Sequence, residues 1–135
     1  MTYKPEQNHR TVILVIEDHD DTRFMLRMML EGEGYVMLEA ADGLEGVETA
    51  IRQHPDLVLI DGNLPGLDGL SAIRRMREQE FLRDMPIAVI SGHTGPEFRA
   101  EARVAGCDAY ITKPLDFDEF RSTLNHLLHS YSHAA

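Results

Sequence analysis

The sequence predicts an α/β fold with a parallel β-sheet covered by helices, and three observations support this prediction. Short apolar runs rich in β-branched residues alternate with longer amphipathic stretches, which is the pattern of successive βα units. The first, third and fourth of the predicted strands are almost wholly apolar, as expected of strands that are buried on both faces. At 135 residues, the chain has the usual length of one domain with a single core.

Five strands can be placed along the chain, and a longer amphipathic stretch follows each of them. The predicted strands are residues 12–17, 35–39, 56–61, 86–91 and 109–112. Gly32 and Gly34 are predicted to end the first helix. Pro55 precedes the third strand, and a turn is predicted at Pro65 and Gly66 after it.

Three aspartates are predicted to begin helices, because a carboxylate oxygen at this position accepts a hydrogen bond from an unpaired N–H group of the first turn. They are Asp42, Asp68 and Asp116, and each precedes residues with the apolar spacing of a helix. Glu119 follows Asp116 at the spacing of a capping box. The helix that Asp116 begins is predicted to bury one apolar face, formed by Phe117, Phe120, Leu124, Leu127 and Leu128.

The composition excludes several classes of function. The formal net charge is −10 at pH 7, which argues against a nucleic-acid partner because Lys and Arg have to neutralise phosphates. The apolar runs are far shorter than the ~20 residues that span a bilayer, so no membrane insertion is expected. The polar N-terminus and the lone Cys107, expected to be a small buried apolar residue, favour a cytoplasmic protein. Residues 1–10 and 131–135 are predicted to be tails of one domain over residues 11–130.

Acidic residues stand at the ends of two predicted strands. Glu17 and Asp18 end the first strand, and Asp61 ends the third. Ligands of open parallel sheets bind at the carboxyl edge, where neighbouring strands are about 4.8 Å apart, so these carboxylates are expected to share a small volume. Clustered carboxylates repel one another and therefore favour a bridging cation such as Mg²⁺. The alternative is that residues 18–21 only begin a helix, where negative charge is favourable.

A hydroxyl group and an ammonium group are predicted at the same edge. Ser91 ends the fourth strand, and Lys113 with Pro114 follows the fifth strand directly. Taken alone, the serine is an ordinary cap and the lysine is an ordinary solvated turn residue. Together with the carboxylates they supply what phosphoryl transfer to a carboxylate requires, namely an accepting oxygen, a divalent cation, a cationic partner and a hydroxyl donor.

Several motifs resemble the receiver domain of two-component response regulators in their order and separations. They are Glu17-Asp18, Leu59-Ile60-Asp61, Pro65-Gly66-Leu67-Asp68-Gly69, Ile90-Ser91-Gly92-His93 and Tyr110-Ile111-Thr112-Lys113-Pro114. The resemblance extends over residues 11 to about 129 and implies the stand-alone, single-domain type of this family. It implies a flavodoxin-like, doubly wound sheet of five parallel strands in the order 2-1-3-4-5, with helices on both faces.

The resemblance implies that Asp61 is the phosphorylated residue and that Mg²⁺ or Mn²⁺ binds beside it. Asp18 and Asp61 would bind the cation directly, Glu17 through a water molecule, and Asn63 through its backbone carbonyl. Glu17 stands where the family more often has aspartate, and its extra methylene is expected to shift the water-mediated contact. Gly62 stands where a larger apolar residue is frequent, and it is expected to loosen the loop or to open access to the site.

By the same resemblance, Ser91 would hydrogen-bond the phosphoryl group and Lys113 would pair with it. Tyr110 matches the aromatic switch residue, which turns inward when the hydroxyl residue moves toward the phosphoryl group. Ser91 replaces the more frequent threonine, so it keeps the hydroxyl group but lacks the methyl group that restricts the rotamer.

Two further positions match those whose side chains tune dephosphorylation in the family, and they hold Asn63 and His93. A rival hypothesis makes His93 a phosphorylated or metal-binding histidine. Because His19 and His54 belong to other loops, the sequence shows no ligand spacing for it, and a solvated loop imidazole is favoured.

The first helix carries more apolar surface than one buried stripe needs. Its core face is predicted to consist of Met25, Leu26, Met29 and Leu30. Phe24 and Met28 form an additional apolar pair at helical spacing. The resemblance implies that a histidine kinase or a histidine phosphotransfer protein docks there; the alternative is that Phe24 is half-buried against the next element. Arg23, Arg27 and Glu31 are expected to face water.

The favoured hypothesis is a signalling switch, in which a phosphohistidine donor passes its phosphoryl group to Asp61. The phosphorylated surface would then bind an unidentified downstream protein, or the group would be passed on in a phosphorelay. The chain is not expected to be a conventional metabolic enzyme, although it would catalyse its own phosphotransfer and dephosphorylation. One alternative is a receiver-like module that binds partners without phosphorylation. An aspartyl-phosphate phosphatase is disfavoured because Asn63 cannot act as a general acid, and a flavin carrier is disfavoured by the acidic residues 17–21.

Overall fold

The computed structural model describes residues 10–92 and 95–133, in which strands and helices alternate. The strands are β1 (Val12–Ile16), β2 (Val36–Ala40), β3 (Leu57–Asp61), β4 (Ile87–Ser91) and β5 (Ala109–Thr112). The helices are α1 (Asp20–Gly32), α2 (Gly43–Gln53), α3 (Gly69–Arg77), α4 (Pro96–Ala105) and α5 (Phe117–His133), and a short 3₁₀ helix over Glu80–Leu82 follows α3. Helix α5 thus continues past residue 130, where the domain is predicted to end, and most of the predicted N-terminal tail lies outside the described residues.

The five strands form one parallel sheet in the order β2-β1-β3-β4-β5, which confirms the predicted fold. Each predicted strand is present, and its bounds differ from the prediction by one residue at most. Ile16 lies opposite Ile60, and Ser91 lies opposite Thr112, so the carboxyl ends of neighbouring strands are level with one another.

Each face of the sheet packs against its own hydrophobic core, because successive side chains of a strand point to opposite faces. Leu14 and Ile60 belong to the core covered by α2, α3 and α4. Ile13 and Leu59 belong to the core covered by α1 and α5. The central strands are therefore buried on both faces, which explains why their sequences are apolar without interruption.

The three aspartates predicted to begin helices do so. The backbone N–H group three residues further along donates to each carboxylate, at 2.8, 2.8 and 3.1 Å for Asp42, Asp68 and Asp116. In α5, Phe120, Leu124 and Leu127 of the predicted apolar face are buried and Leu128 is partly buried, whereas Phe117 is 49% exposed. That prediction is wrong for Phe117, which begins the helix and so has no preceding turn of α5 to cover it where it borders the groove between α1 and α5.

The predictions that Arg23 and Arg27 face water are wrong, and so is the prediction that Cys107 is buried. The Arg23 side chain is only 16% exposed because it donates to the carbonyl oxygen of Glu17 at 2.8 Å and to Glu39 at 3.1 Å. Arg27 is also partly covered, since it pairs with Glu39 as well. Cys107 packs against the core on the α4 side but is half-buried, not fully buried.

Within the described ranges, no helix has both the length and the apolar character needed to cross a bilayer.

Candidate functional site

Four chain segments meet at the carboxyl edge of the sheet and carry the polar residues identified in the sequence. Asp61 is the last residue of β3, and Ser91 is the last residue of β4. Glu17 and Asp18 follow β1 directly, and Lys113 follows β5. The parallel register brings these strand ends together, as the sequence predicts.

Three carboxylates and one imidazole form a compact group, which we call the acidic cluster. Ligand atoms of Glu17, Asp18, His19 and Asp61 all lie within 4.8 Å of one another. Glu17 and Asp61 are only 2% and 4% exposed. Burial raises the pKa of Glu17, and the negative charge of Asp61 raises it further. The cluster therefore concentrates negative charge that a bound cation would stabilise.

The oxygen atoms of the acidic cluster fit a hard divalent cation. Within the part of the chain that the structure describes, Asp18 Oδ1 is a buried atom with no hydrogen-bond partner. Leaving such an oxygen unpaired is unfavourable, and a metal ion is one of the groups that satisfies it. Mg²⁺ prefers oxygen ligands and uses one or two carboxylates together with water. Asn63 lies two residues beyond Asp61, and its backbone N–H donates to Asp61 Oδ1 at 3.0 Å.

Lys113 supplies positive charge beside the acidic cluster. Its Nζ atom lies 3.5 Å from Asp61 Oδ2 and 3.6 Å from Glu17 Oε1. Its backbone N–H donates to the carbonyl oxygen of Ser91 at 2.9 Å, and this hydrogen bond holds the loop that begins at Lys113 against the end of β4. One ammonium group offsets only part of the charge on the carboxylates, so a further cation is still favoured.

Two glycines allow atoms to approach closely around Asp61. A Cβ atom on Gly69, the first residue of α3, would lie 2.5 Å from the carbonyl oxygen of Asp61. The absence of a side chain at Gly69 therefore lets α3 begin against the end of β3. A Cβ atom on Gly62 would lie 3.1 Å from Ser91 Oγ and 3.2 Å from the ring of Phe98. The prediction that Gly62 opens access to the site is wrong, because the Phe98 ring fills the space beside this buried glycine.

Tyr110 is half-buried and contacts two consecutive residues of α4. The ring of Phe98 meets it edge-on, with the centroids 6.1 Å apart and the planes at 77°. The guanidinium carbon of Arg99 lies 4.7 Å from the centroid of the Tyr110 ring. Neither Phe98 nor Arg99 can be identified from the sequence, because contacts between α4 and β5 leave no signal in local spacing.

His19 belongs to the site, although the sequence was used only to exclude it as a partner of His93. Its Nδ1 atom lies 3.0 Å from Glu17 Oε2 and 3.4 Å from Asp18 Oδ1. The hydrogen bond with Glu17 raises the pKa of His19, and the charge of Asp18 adds to the increase. Its position directly after Glu17 and Asp18 was the signal that could have identified it. His93 lies outside the described residues.

Phe24 and Met28 form an exposed apolar pair on α1, and they are 64% and 63% exposed. The alternative that Phe24 is half-buried is therefore wrong. The four residues of α1 that were predicted to face the core pack there. Because Arg23 donates to the carbonyl oxygen of Glu17, the helix that carries this pair is joined to the acidic cluster.

The fold and the site together define a class of signalling domain, and the chain belongs to the family of response regulator receiver domains, whose sequence model matches residues 13–125. The polar-differentiation response regulator DivK of Brucella ovis is 30% identical over 116 residues, which are 86% of this chain and 94% of that protein. The relative of the same name from Brucella suis has the same identity and coverage.

Solved structures with the same fold agree with this assignment. The chemotaxis protein CheY4 of Vibrio cholerae superimposes with a TM-score of 0.85 at 27% identity, over 89% of this chain and 100% of that one. The receiver domain of a sensor histidine kinase from Pseudomonas aeruginosa superimposes with a TM-score of 0.84 at 33% identity, over 90% of this chain and 99% of that one. That structure has a magnesium ion coordinated in its active site cleft. The family resemblance described from the sequence is thereby confirmed.

Proposed function

We propose that this chain is a two-component signalling switch that accepts a phosphoryl group on Asp61 from a phosphohistidine donor. The observation that carries the proposal is the environment of Asp61, a buried carboxylate within the acidic cluster that faces Lys113 at 3.5 Å. Membership of the receiver-domain family supports it. A carboxylate, a cluster of possible cation ligands and an ammonium group are the parts that phosphoryl transfer to an aspartate requires.

In this proposal Asp61 is the nucleophile. A bond forms between one of its carboxylate oxygens and phosphorus, while the bond from phosphorus to the donor's imidazole nitrogen breaks and that nitrogen keeps the electron pair. Lys113 would pair with the phosphoryl oxygens, and Ser91 would donate a hydrogen bond to them. Tyr110 would act as the switch residue that responds to Ser91.

We assign the acidic cluster to Mg²⁺, or to Mn²⁺, which has similar ligand preferences. Asp18 and Asp61 would bind the cation through carboxylate oxygens, Glu17 through a water molecule and Asn63 through its backbone carbonyl. When bound, the cation offsets the negative charge of the carboxylates and of the phosphoryl oxygens. Asp18 Oδ1, which has no hydrogen-bond partner among the described residues, and the magnesium ion in the Pseudomonas aeruginosa receiver domain support this assignment.

The pair Phe24 and Met28 is the proposed docking surface for the donor, a histidine kinase or a histidine phosphotransfer protein. Large apolar side chains exposed side by side on a helix are typical of a binding surface, and methionine adapts to different partners. The phosphorylated chain would then contact a downstream protein or pass the group on in a phosphorelay.

We further propose that Asn63 and His93 tune the dephosphorylation, which the chain would catalyse itself, and that the protein acts in the cytoplasm.

Intact-protein mass spectrometry after incubation with acetyl phosphate tests the phosphorylation proposal. The wild-type chain is expected to gain one phosphoryl group when Mg²⁺ is present and none when EDTA is present. Asp61→Asn is expected to gain none in either condition. Asp84→Asn removes an exposed carboxylate from the loop before β4 and is the matched control, which should gain the group as the wild type does.

A wild-type chain that gains no phosphoryl group, from acetyl phosphate or from histidine-kinase donors, would show the proposal to be wrong. A receiver-like module that binds partners without phosphorylation would then be the remaining interpretation. Retained signalling by Asp61→Asn in the source organism would support the same interpretation.

A further inference from the structure

Ser91 and Phe98 border the same small space above Gly62. A Cβ atom on Gly62 would lie 3.1 Å from Ser91 Oγ and 3.2 Å from both Cε2 and Cζ of Phe98. These distances are shorter than the roughly 3.5–4.0 Å at which non-bonded carbon atoms attract best, so the space has no room for a further group. Ser91 is fully buried, and Phe98 packs against the core covered by α2, α3 and α4. A displacement of the serine hydroxyl therefore changes the surroundings of the Phe98 ring.

Phe98 also contacts Tyr110, although Tyr110 is not the residue that pairs with Ser91 in the sheet. Ser91 lies opposite Thr112 in the register between β4 and β5, whereas Tyr110 lies opposite Val89. Phe98, a residue of α4, makes an edge-on contact with the Tyr110 ring despite this two-residue offset between Ser91 and Tyr110. Phe98 therefore contacts the half-buried tyrosine and borders, together with Ser91, the space beside Gly62.

We propose that Phe98 is a positioning residue that transmits a displacement of Ser91 to the ring of Tyr110. The inference rests on the proposed function, in which Ser91 moves toward a phosphoryl group on Asp61. That movement leaves unfilled space beside the Phe98 ring, and a close-packed interior favours movement of the ring into it. The Tyr110 ring follows, because it otherwise loses its edge-on contact with Phe98. Gly62 permits the arrangement, since a side chain there would occupy the same space.

Fluorine NMR of the chain labelled with 3-fluorotyrosine tests this inference. The chain contains 4 tyrosines, and the variant Tyr110→Phe identifies the signal of Tyr110. In the wild-type chain this signal is expected to shift after phosphorylation with acetyl phosphate and Mg²⁺. In Phe98→Ala, mass spectrometry is expected to show the phosphoryl group on Asp61 while the Tyr110 signal does not shift. If Phe98→Ala does not fold, Phe98→Leu is measured instead, because it keeps most of the side-chain volume but lacks the ring.

A second arm of the experiment does not depend on phosphorylation. Ser91→Ala removes the hydroxyl oxygen from the shared space, and it is expected to shift the Tyr110 signal when Phe98 is present and not when Phe98 is alanine. Gly62→Ala is also expected to shift this signal, because its methyl group crowds the Phe98 ring. Gly92→Ala is the matched control, since a Cβ atom there meets no other atom within 4 Å.

A Tyr110 signal that shifts equally with and without the ring at position 98, in either arm, overturns the inference. Equal shifts from Gly62→Ala and Gly92→Ala overturn it as well. If the wild-type chain is not phosphorylated at all, the proposed function fails, and the Ser91→Ala arm still decides whether Phe98 links the two residues.

Discussion

Replacing Asp61 with asparagine is expected to stabilise the metal-free fold, because Asp61 is repelled more strongly than it is attracted. Lys113 Nζ lies 3.5 Å from Asp61 Oδ2, and at an effective dielectric constant of about 20 this attraction is worth about 4.7 kcal/mol. The carboxylates of Glu17 and Asp18 lie within 4.8 Å of Asp61, and each repels it by about 3.5 kcal/mol on the same basis. The two repulsions together exceed the attraction when the exposed His19 imidazole of the same cluster is neutral. After allowance for solvent around Asp18, Asp61→Asn is expected to gain about 1–2 kcal/mol.

Urea unfolding in EDTA at about pH 9, where the His19 imidazole is neutral, measures this difference in the free energy of unfolding. Asp84→Asn removes the same charge from an exposed loop and is expected to change the free energy by less than about 0.5 kcal/mol. With excess Mg²⁺ the wild-type chain is expected to gain more stability than Asp61→Asn, because the variant has lost a carboxylate ligand of the cation. An Asp61→Asn variant that is less stable than the wild type in EDTA would refute the reasoning, since the attraction to Lys113 would then dominate.

Three further predictions follow from burial. Phe120 is buried and Phe117 is half-exposed, so Phe120→Ala is expected to lower the free energy of unfolding by about 3–5 kcal/mol and Phe117→Ala by less than about 1 kcal/mol. Urea unfolding measures both losses, and similar losses would contradict the packing of α5. Burial raises the pKa of the Cys107 thiol, which lowers its thiolate fraction near pH 8. Iodoacetamide is therefore expected to alkylate Cys107 more slowly in the folded chain than in urea, as measured by mass spectrometry. Equal alkylation rates would be inconsistent with the raised pKa. Phe24→Ala is expected to change the free energy of unfolding by less than about 0.5 kcal/mol and to leave phosphorylation by acetyl phosphate unchanged. The same variant is expected to slow phosphoryl transfer from the histidine donor. An unchanged rate of phosphoryl transfer would remove Phe24 from the docking surface.

The sheet and the main residues of the site could be predicted because their signals are local. A strand covered on both faces must be apolar throughout, so β3 was found to within one residue. Parallel strands end at a common edge, so Asp61 and Ser91 could be placed near each other before the register was known. The N-terminal caps were equally local, since Asp42 binds an N–H group three residues away.

The parts of the site that escaped prediction depend on contacts between distant segments. Arg23 is covered because Glu39, on β2, lies beside it, and nothing in the helical spacing of α1 indicates this. Phe98 reaches Gly62 only because the first turns of α4 lie beside the residue that follows β3. Phe117 has the spacing of a core residue, yet its place at the start of α5 puts it beside a groove. For Arg23 and Phe117, periodicity identified a face of a helix and not the element that covers it.

The hydrogen bond from Arg23 to the carbonyl oxygen of Glu17 has a thermodynamic consequence for the neighbouring surface. Arg23 precedes Phe24, so a protein that binds α1 there touches the same turn of helix that holds the Glu17 backbone. Binding energies at two coupled sites are reciprocal. If a protein bound at Phe24 displaced Arg23 and thereby changed the affinity of the acidic cluster for a cation, the cation would change the affinity for that protein by the same factor. The magnesium concentration would then act as a control on complex formation, even in the absence of phosphoryl transfer.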